Sequence, residues 1–193
     1  NISLRQKLPF IHLVESSGIN LMNYTVEFWS NTGGMFYGLA KLSAAGIPTI
    51  AVLHGLSTAG GAYQPGMSDY VIGVKKNGMA ALAGPALLKA ATGEFALNEE
   101  LGGSEMHARI TGLVEYLADD DEHALRIVRD LIDKIDWNAK FLKREPILYE
   151  EPIYDTKELI GIVSVDYKVP YDVRELIARI VDGSDFIDFK AEY

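Results

Sequence analysis

The stretch Thr49-Ile50-Ala51-Val52-Leu53 most limits what this chain can fold into. It is short, rich in β-branched residues and bounded by Pro48 and Gly55, the pattern of a strand buried on both faces. A run of small residues follows and ends in Gly60-Gly61, just before Ala62 and Tyr63. Adjacent glycines permit positive φ and let another molecule approach the backbone. A helix starting there presents N–H groups with no partner inside the helix, and its dipole favours negative charge at that end. Strand, paired-glycine turn and helix start form a candidate oxyanion hole for a thioester carbonyl passing to an enolate. The alternative is a tight strand-to-helix turn that needs glycine for purely structural reasons.

The flanking sequence supplies a parallel crossover. Residues 9–15 read as a buried strand, ended by the turn chemistry of Ser16-Ser17-Gly18. Residues 19–28 are weakly patterned, and Asn31-Thr32-Gly33-Gly34 reads as a loop. Residues 35–45 have helical spacing, with Phe36, Leu39, Leu42 and Ala45 near one face, and Gly46 and Pro48 stop the helix. Strand, loop, helix and strand in this order suggest a parallel sheet.

Further along, residues 70–74 and 79–83 read as strands around the turn Lys75-Lys76-Asn77-Gly78. Pro85 opens a helix over 86–91, Gly93, Gly102 and Gly103 punctuate a loop, and 104–109 is a short helix. A strand at 113–117 precedes the clearest helix, 119–135, with acids at its start and Ala124, Leu125, Val128, Leu131, Ile132 and Ile135 as its apolar stripe. From 137 to 170 prolines, tyrosines and acids suggest an extended arm, and 171–181 a further helix.

Composition narrows the classes of function. The 193 residues suffice for one ordinary domain, and 48% hydrophobic with 23% charged residues is a globular balance. No apolar run approaches the roughly 18–20 residues of a membrane span, and no signal peptide is evident. The absence of cysteine excludes disulfides and thiolate metal sites. A net charge of −9 argues against general nucleic-acid binding. Asn1 and the lead-in at 186–193 both read as cut ends, so a fragment of a longer protein is expected.

Several motifs occur in order: Ser43-Ala44-Ala45-Gly46-Ile47-Pro48, Ser57-Thr58-Ala59-Gly60-Gly61-Ala62-Tyr63, Leu82-Ala83-Gly84-Pro85, Lys89-Ala90-Ala91-Thr92-Gly93-Glu94 and Leu101-Gly102-Gly103-Ser104-Glu105-Met106-His107. Pro170-Tyr171-Asp172-Val173-Arg174, Arg179-Ile180-Val181-Asp182-Gly183-Ser184 and Phe189-Lys190 follow. Together they resemble the carboxyltransferase (β) subunit of biotin-dependent acyl-CoA carboxylases over nearly the whole chain. The resemblance implies an α/β, crotonase-like (ClpP/crotonase) spiral of repeated ββα units. It implies carboxyl transfer from carboxybiotin, held on a partner carrier protein, to the α-carbon of an acyl-CoA, without a metal in this subunit.

It further implies that residues 1–136 are the acyl-CoA-binding N half, and that 137–193 are a connector arm and helix leading toward a C half that binds biotin. Gly60 and Gly61 carry over as backbone oxyanion donors, and Ser17, Gly18, Ala59 and Ala62 as substrate-binding residues. Implied partners are a biotin carboxylase, a biotin carboxyl carrier and further copies in a hexamer-like assembly, with no nucleic acid and no membrane. The implied compartment is the cytoplasm, or the mitochondrial matrix in a eukaryote. The loop Glu15-Ser16-Ser17-Gly18-Ile19 departs from the family's usual Asp-Ser-Gly-Gly-Ala, with Ser17 in place of a glycine and Ile19 in place of an alanine.

Other readings compete. Gly55-Leu56-Ser57-Thr58-Ala59 approaches a nucleophile elbow, which would make Ser57 a hydrolase nucleophile with His107 or His123 as base. A biotin-dependent decarboxylase runs the same transfer backwards, and a non-catalytic oligomerisation domain keeps only the fold. Asp119-Asp120-Asp121-Glu122-His123 reads as acids complementing a helix dipole in preference to a metal cluster. Lys75, Lys76, Lys89 and Arg109 could meet CoA phosphates but read individually as solvated charges, and His107 reads as a structural hydrogen-bonding residue.

Overall fold

The computed structural model describes residues 1–16, 22, 25–137 and 148–193. The chain divides into two compact units, one of Asn1–Trp137 with Phe189–Tyr193 and one of Asn138–Asp188.

The first unit opens with α1 (Ile2–Gln6), β1 (Phe10–Ser16), α2 (Val26–Ala44) and β2 (Thr49–Thr58). A 3-10 turn (Ala59–Ala62) leads into α3 (Tyr63–Gly66), β3 (Tyr70–Val74) and β4 (Met79–Ala81). Then come α4 (Pro85–Thr92), α5 (Asn98–Gly102), α6 (Ser104–Met106), a π turn (His107–Thr111), β5 (Tyr116–Ala118) and α7 (Asp121–Ile135). The sheet order is β1-β2-β3-β5, and β4 pairs with the end of β2. All four pairings are parallel, as expected of an α/β chain built from crossovers.

β2 is the central strand. Thr49 to Leu53 are each at most 1% exposed, so the burial expected on both faces holds. One face, with Ile50 and Val52, joins Ile72, Val74 and Ala118 under Ala124, Val128 and Leu131 of α7. The other face, with Ala51 and Leu53, packs with Val14, Val71, Ala80, Ala108 and Val114. Asp69 fixes the strand's start: its carboxylate accepts from the Thr49 N–H and hydroxyl, both at 2.8 Å. α7 is as periodic as its sequence, and Asp120 caps it by accepting from the His123 N–H at 2.7 Å.

Three expectations are corrected. Asn31–Gly34 is not a loop, because α2 runs through it from a Thr25 cap that accepts from the Phe28 N–H. The helical cost of glycine, about 1 kcal/mol each relative to alanine, is outweighed here by the cap and by burial of Leu39 and Leu42. β1 is an edge strand, not a buried one: Ile11 is 43% and Leu13 58% exposed, since the cluster under α7 contains no β1 residue. The span punctuated by Gly93, Gly102 and Gly103 contains α5, whose Glu100 carboxylate accepts from the Leu97 N–H at 3.1 Å.

In the second unit the described part of the expected extended arm has helical turns, a 3-10 turn (Thr156–Glu158) and α8 (Leu159–Ile162). The helix expected over 171–181 is shorter, α9 (Val173–Ile177), capped by Asp172. Arg179 gathers this unit's charges, donating to Glu158 at 2.6 Å and Glu175 at 2.8 Å beside the Tyr154 ring.

Glu115 yields a pH-dependent test. Its carboxylate accepts from the Val71 N–H at 2.6 Å and lies 3.4 Å from Lys190 Nζ, which also donates to the Gly112 carbonyl. Burial pushes this carboxyl upward, and the Val71 hydrogen bond and the Lys190 charge oppose the rise. A carboxyl raised on folding binds its proton more tightly in the folded state. Its contribution is greatest below the ordinary glutamate value of about 4.3 and is lost as pH rises through the raised value. Glu115→Gln keeps an acceptor for Val71 and abolishes this titration. Thermal melts from about pH 4 to about pH 8 should show a smaller loss of stability in the variant. Parallel curves would remove Glu115 as a source.

Candidate functional site: the turn after the central strand

The second half of β2, Leu56 to Thr58, leaves β3 and pairs with β4, so Ala80 lies opposite Ser57 and Ala81 opposite Thr58. The chain then turns sharply. Ala59 adopts φ +51°, a left-handed conformation that costs a non-glycine residue roughly 1–2 kcal/mol. Neither Gly60 nor Gly61 has positive φ, so of the two expected reasons for the paired glycines, positive φ and close approach, the first does not apply.

Gly61 is glycine because of close approach. It is buried, and a Cβ there would lie 2.7 Å from Ser16 Cβ and 2.9 Å from Ser16 Oγ. Gly60 is exposed, and a Cβ on it would meet only Phe36 Cζ, at 3.6 Å. Phe36 of α2 also contacts the Tyr63 ring, with centroids 5.5 Å apart. Ala62 packs on the core face that holds Ala80 and Leu53, whereas Ala59 is exposed. The turn is therefore seated through Gly61 and Ala62 and open at Ala59 and Gly60.

Ser17 and Gly18, the other expected substrate-binding residues, lie outside the described residues. Ser16, their immediate predecessor, pairs with Ser57 after a register shift past Val14 and touches Gly61. The end of β1 and the glycine turn thus meet as far as they are described.

The hydrolase alternative does not survive this geometry. Ser57 is fully buried inside β2, two residues before the turn, and a nucleophile elbow exposes its serine on the turn itself. Its Oγ has no hydrogen-bond partner among the described residues. His107 is held by Thr111 and Ala80, and His123 Nδ1 accepts from the Asp119 N–H. The acids at 119–123 are used locally: Asp119 pairs with Lys75 at 2.6 Å, Asp120 caps α7 and Glu122 pairs with Arg126 at 2.7 Å. Among the described residues no group of three or more His, Asp or Glu could hold a metal ion. Lys89 lies over the Phe95 ring and Arg109 pairs with Glu192.

One feature escaped the sequence. A cleft of about 660 Å³ runs between α1, β1 and α2, lined by Phe10, His12, Met35, Tyr37, Leu39 and Gln64 among others. His12 bonds to Ser68 Oγ at 2.9 Å, and burial holds its imidazole below the ordinary value. None of Ala59–Ala62 lines this cleft. A single histidine in an apolar strand gives no signal that a cleft will form beside it.

The carboxyl transferase domain family matches residues 1–193 of the chain. The chain belongs to that family. This carboxyl transferase domain is similar to the probable biotin-dependent acyl-coenzyme A carboxylase beta2 subunit of Mycobacterium tuberculosis, at 50% identity over 192 residues, 100% of this chain and 36% of that protein. It is also similar to the solved beta subunit of P. aeruginosa geranyl-CoA carboxylase, with TM-score 0.66 and 47% identity over 100% of this chain and 35% of that one. A third similarity is to transcarboxylase 12S with methylmalonyl-coenzyme A and methylmalonic acid bound, with TM-score 0.80 and 34% identity over 99% of this chain and 37% of that one. The carboxyl transferase domain thus spans about a third of the length of these relatives. Its structural neighbours are carboxyltransferases of the crotonase-like fold, the fold expected. Among the described residues no helix is long and apolar enough to cross a membrane.

Proposed function

We propose that this carboxyl transferase domain binds an acyl-CoA and serves in transfer of a carboxyl group from carboxybiotin to the acyl α-carbon. The observation that carries the reading is the asymmetric turn: Gly61 is seated on Ser16, and the open Gly60 leaves its backbone approachable. Gly60 and Gly61 offer backbone N–H groups to the thioester oxygen, which gains charge as the α-carbon is deprotonated. Ala59 and Ala62, with Ser17 and Gly18 after β1, border the acyl group. The similarity to a protein solved with methylmalonyl-coenzyme A bound supports a thioester ligand.

Biotin, carried on a partner protein, supplies the carboxyl group, and no residue of this chain is assigned to holding it. The chain's own part is to bind the thioester, orient it and stabilise the developing oxyanion. Its partners in this reading are a biotin carboxylase, a biotin carboxyl carrier and further copies of the subunit; a relative named as a subunit of a biotin-dependent carboxylase and a neighbour described as a hexamer support partner subunits and an oligomer. Residues 1–136 act as the acyl-CoA-binding part and 137–193 as the connector.

Calorimetric titration of a subunit of full family length with acetyl-, propionyl- and octanoyl-CoA tests the reading. Saturable binding of at least one thioester, far tighter than that of free CoA plus the carboxylic acid, is expected. No binding of any of them by a folded sample would end the proposal.

A further inference from the structure

We propose that His107 is a positioning residue, whose imidazole sets the Ala59–Ala62 turn by holding β4; the link to catalysis rests on the reading of that turn given above. The Leu101–His107 motif has no direct place at the turn, yet the structure gives it one task. β4 is three residues long and pairs with β2 only through Leu56, Ser57 and Thr58. On its other side it meets an isolated bridge from Met79 to Gly103, so among the described residues no second strand fixes it. A strand held this weakly needs other anchors, and the motif provides them.

The anchors are specific. The Ser104 N–H and hydroxyl both donate to the Gly78 carbonyl, at 2.9 and 3.0 Å, just before β4 begins. Gly102 lies so close to the Ala80 carbonyl that a Cβ there would collide with it. His107 Nε2 reaches the same carbonyl at 2.7 Å. A carbonyl only accepts, so Nε2 carries the proton. Nδ1 is hydrogen-bonded to the Thr111 hydroxyl at 2.7 Å, which fixes the ring's orientation. Ala80 is opposite Ser57, and the strained Ala59 follows two residues later. The imidazole therefore acts on the last paired residues before the turn. Oxyanion donors must sit about 2.7–3.1 Å from the oxygen, and misplacement by about 1 Å can cost 10²-fold in rate.

The test uses a subunit of full family length, assembled with its biotin-carrying partners, bearing His107→Leu or His107→Gln. The substrate is whichever of acetyl-, propionyl- and octanoyl-CoA the wild type carboxylates fastest. His107→Leu should exchange the amide hydrogens of Gly60–Ala62 faster than wild type. Its kcat should fall about tenfold or more, with KM changed by less than about threefold. Glutamine can donate to the Ala80 carbonyl and should restore much of both. If His107→Leu does not fold, Thr111→Val, which frees the ring, should shift both readouts in the same direction by less. Unchanged exchange at the turn in a folded variant would overturn the proposal. Faster exchange with unchanged kcat would support the mechanical link and overturn instead the reading of the turn as an oxyanion hole.

Discussion

Gly78→Ala is expected to destabilise the subunit by roughly 3 kcal/mol, the upper end of the usual overpacking range. A Cβ at Gly78 would collide with the Leu53 carbonyl and with Ser104 Oγ, and would lie 3.0 Å from the Val74 carbonyl. Two of these three neighbours are backbone atoms of β2 and β3, the most buried strands of the sheet. They cannot rotate aside as the end of a side chain can. The Gly78 carbonyl is also the acceptor for Ser104, so relief by moving residue 78 strains that anchor as well. Against a total stability of about 5–15 kcal/mol the loss is large. It corresponds to a fall in Tm of about 6–12 °C for a domain of this size. A melting temperature within about 2 °C of wild type would show that β4 is not packed as described.

The largest expected effect on activity is at the glycine pair, where the two positions should behave differently. At Gly60 a Cβ would meet only Phe36, at an ordinary contact distance, so Gly60→Val should fold. It keeps the N–H but fills the space in which a carbonyl would meet it. Loss of one oxyanion donor costs about 10²–10³ in rate, and a fall of about 10² in kcat is expected for this variant. Ground-state binding should suffer less, because the oxygen gains most of its charge in the enolate. At Gly61 a Cβ would strike Ser16, so Gly61→Ala should lose stability as well as rate. Ser16→Gly removes the struck atoms and should recover the stability of Gly61→Ala. Near-normal turnover by folded Gly60→Val would take Gly60 out of the site. A Gly61→Ala melt that Ser16→Gly fails to raise would show that the contact with Ser16 is not what requires a glycine.

Much of this architecture was legible because burial writes a periodic pattern. β2 and β3 follow from short apolar runs between turn residues, and α7 from its 3–4 residue spacing under an aspartate cap. Gly46 and Gly93 end their helices with φ +65° and +79°, as C-terminal glycines do. The first half of α2 was hidden because tertiary packing overrides the low helical propensity of Gly33 and Gly34. β1 was misjudged because an apolar run does not reveal whether a neighbouring helix reaches over it.

The turn after β2 was legible too, but its physics was not. The glycine pair marked the turn, whereas the strain sits on Ala59 and the need for a missing side chain comes from Ser16, 45 positions earlier in the chain. His12 with Ser68 and Glu115 with Val71 are likewise pairs that only the fold brings together, at separations of 56 and 44 residues. Long-range contacts of single polar residues leave no local signature. The seat of the turn on Ser16, the Phe36 ring near Gly60 and the hold of His107 on β4 all come from distant segments.

In the proposed function, backbone N–H groups of the Ala59–Ala62 turn bind the thioester oxygen. Isotope-edited infrared spectroscopy of a ¹³C-labelled acyl-CoA carbonyl reads that interaction directly, without turnover. Donors aimed at the oxygen weaken the C=O bond, so the carbonyl stretch of the bound thioester should lie below that of the free one. The same band in Gly60→Val, at saturating ligand, should move back toward the free value. A bound carbonyl in the wild-type subunit with the frequency of the free thioester would contradict the assignment.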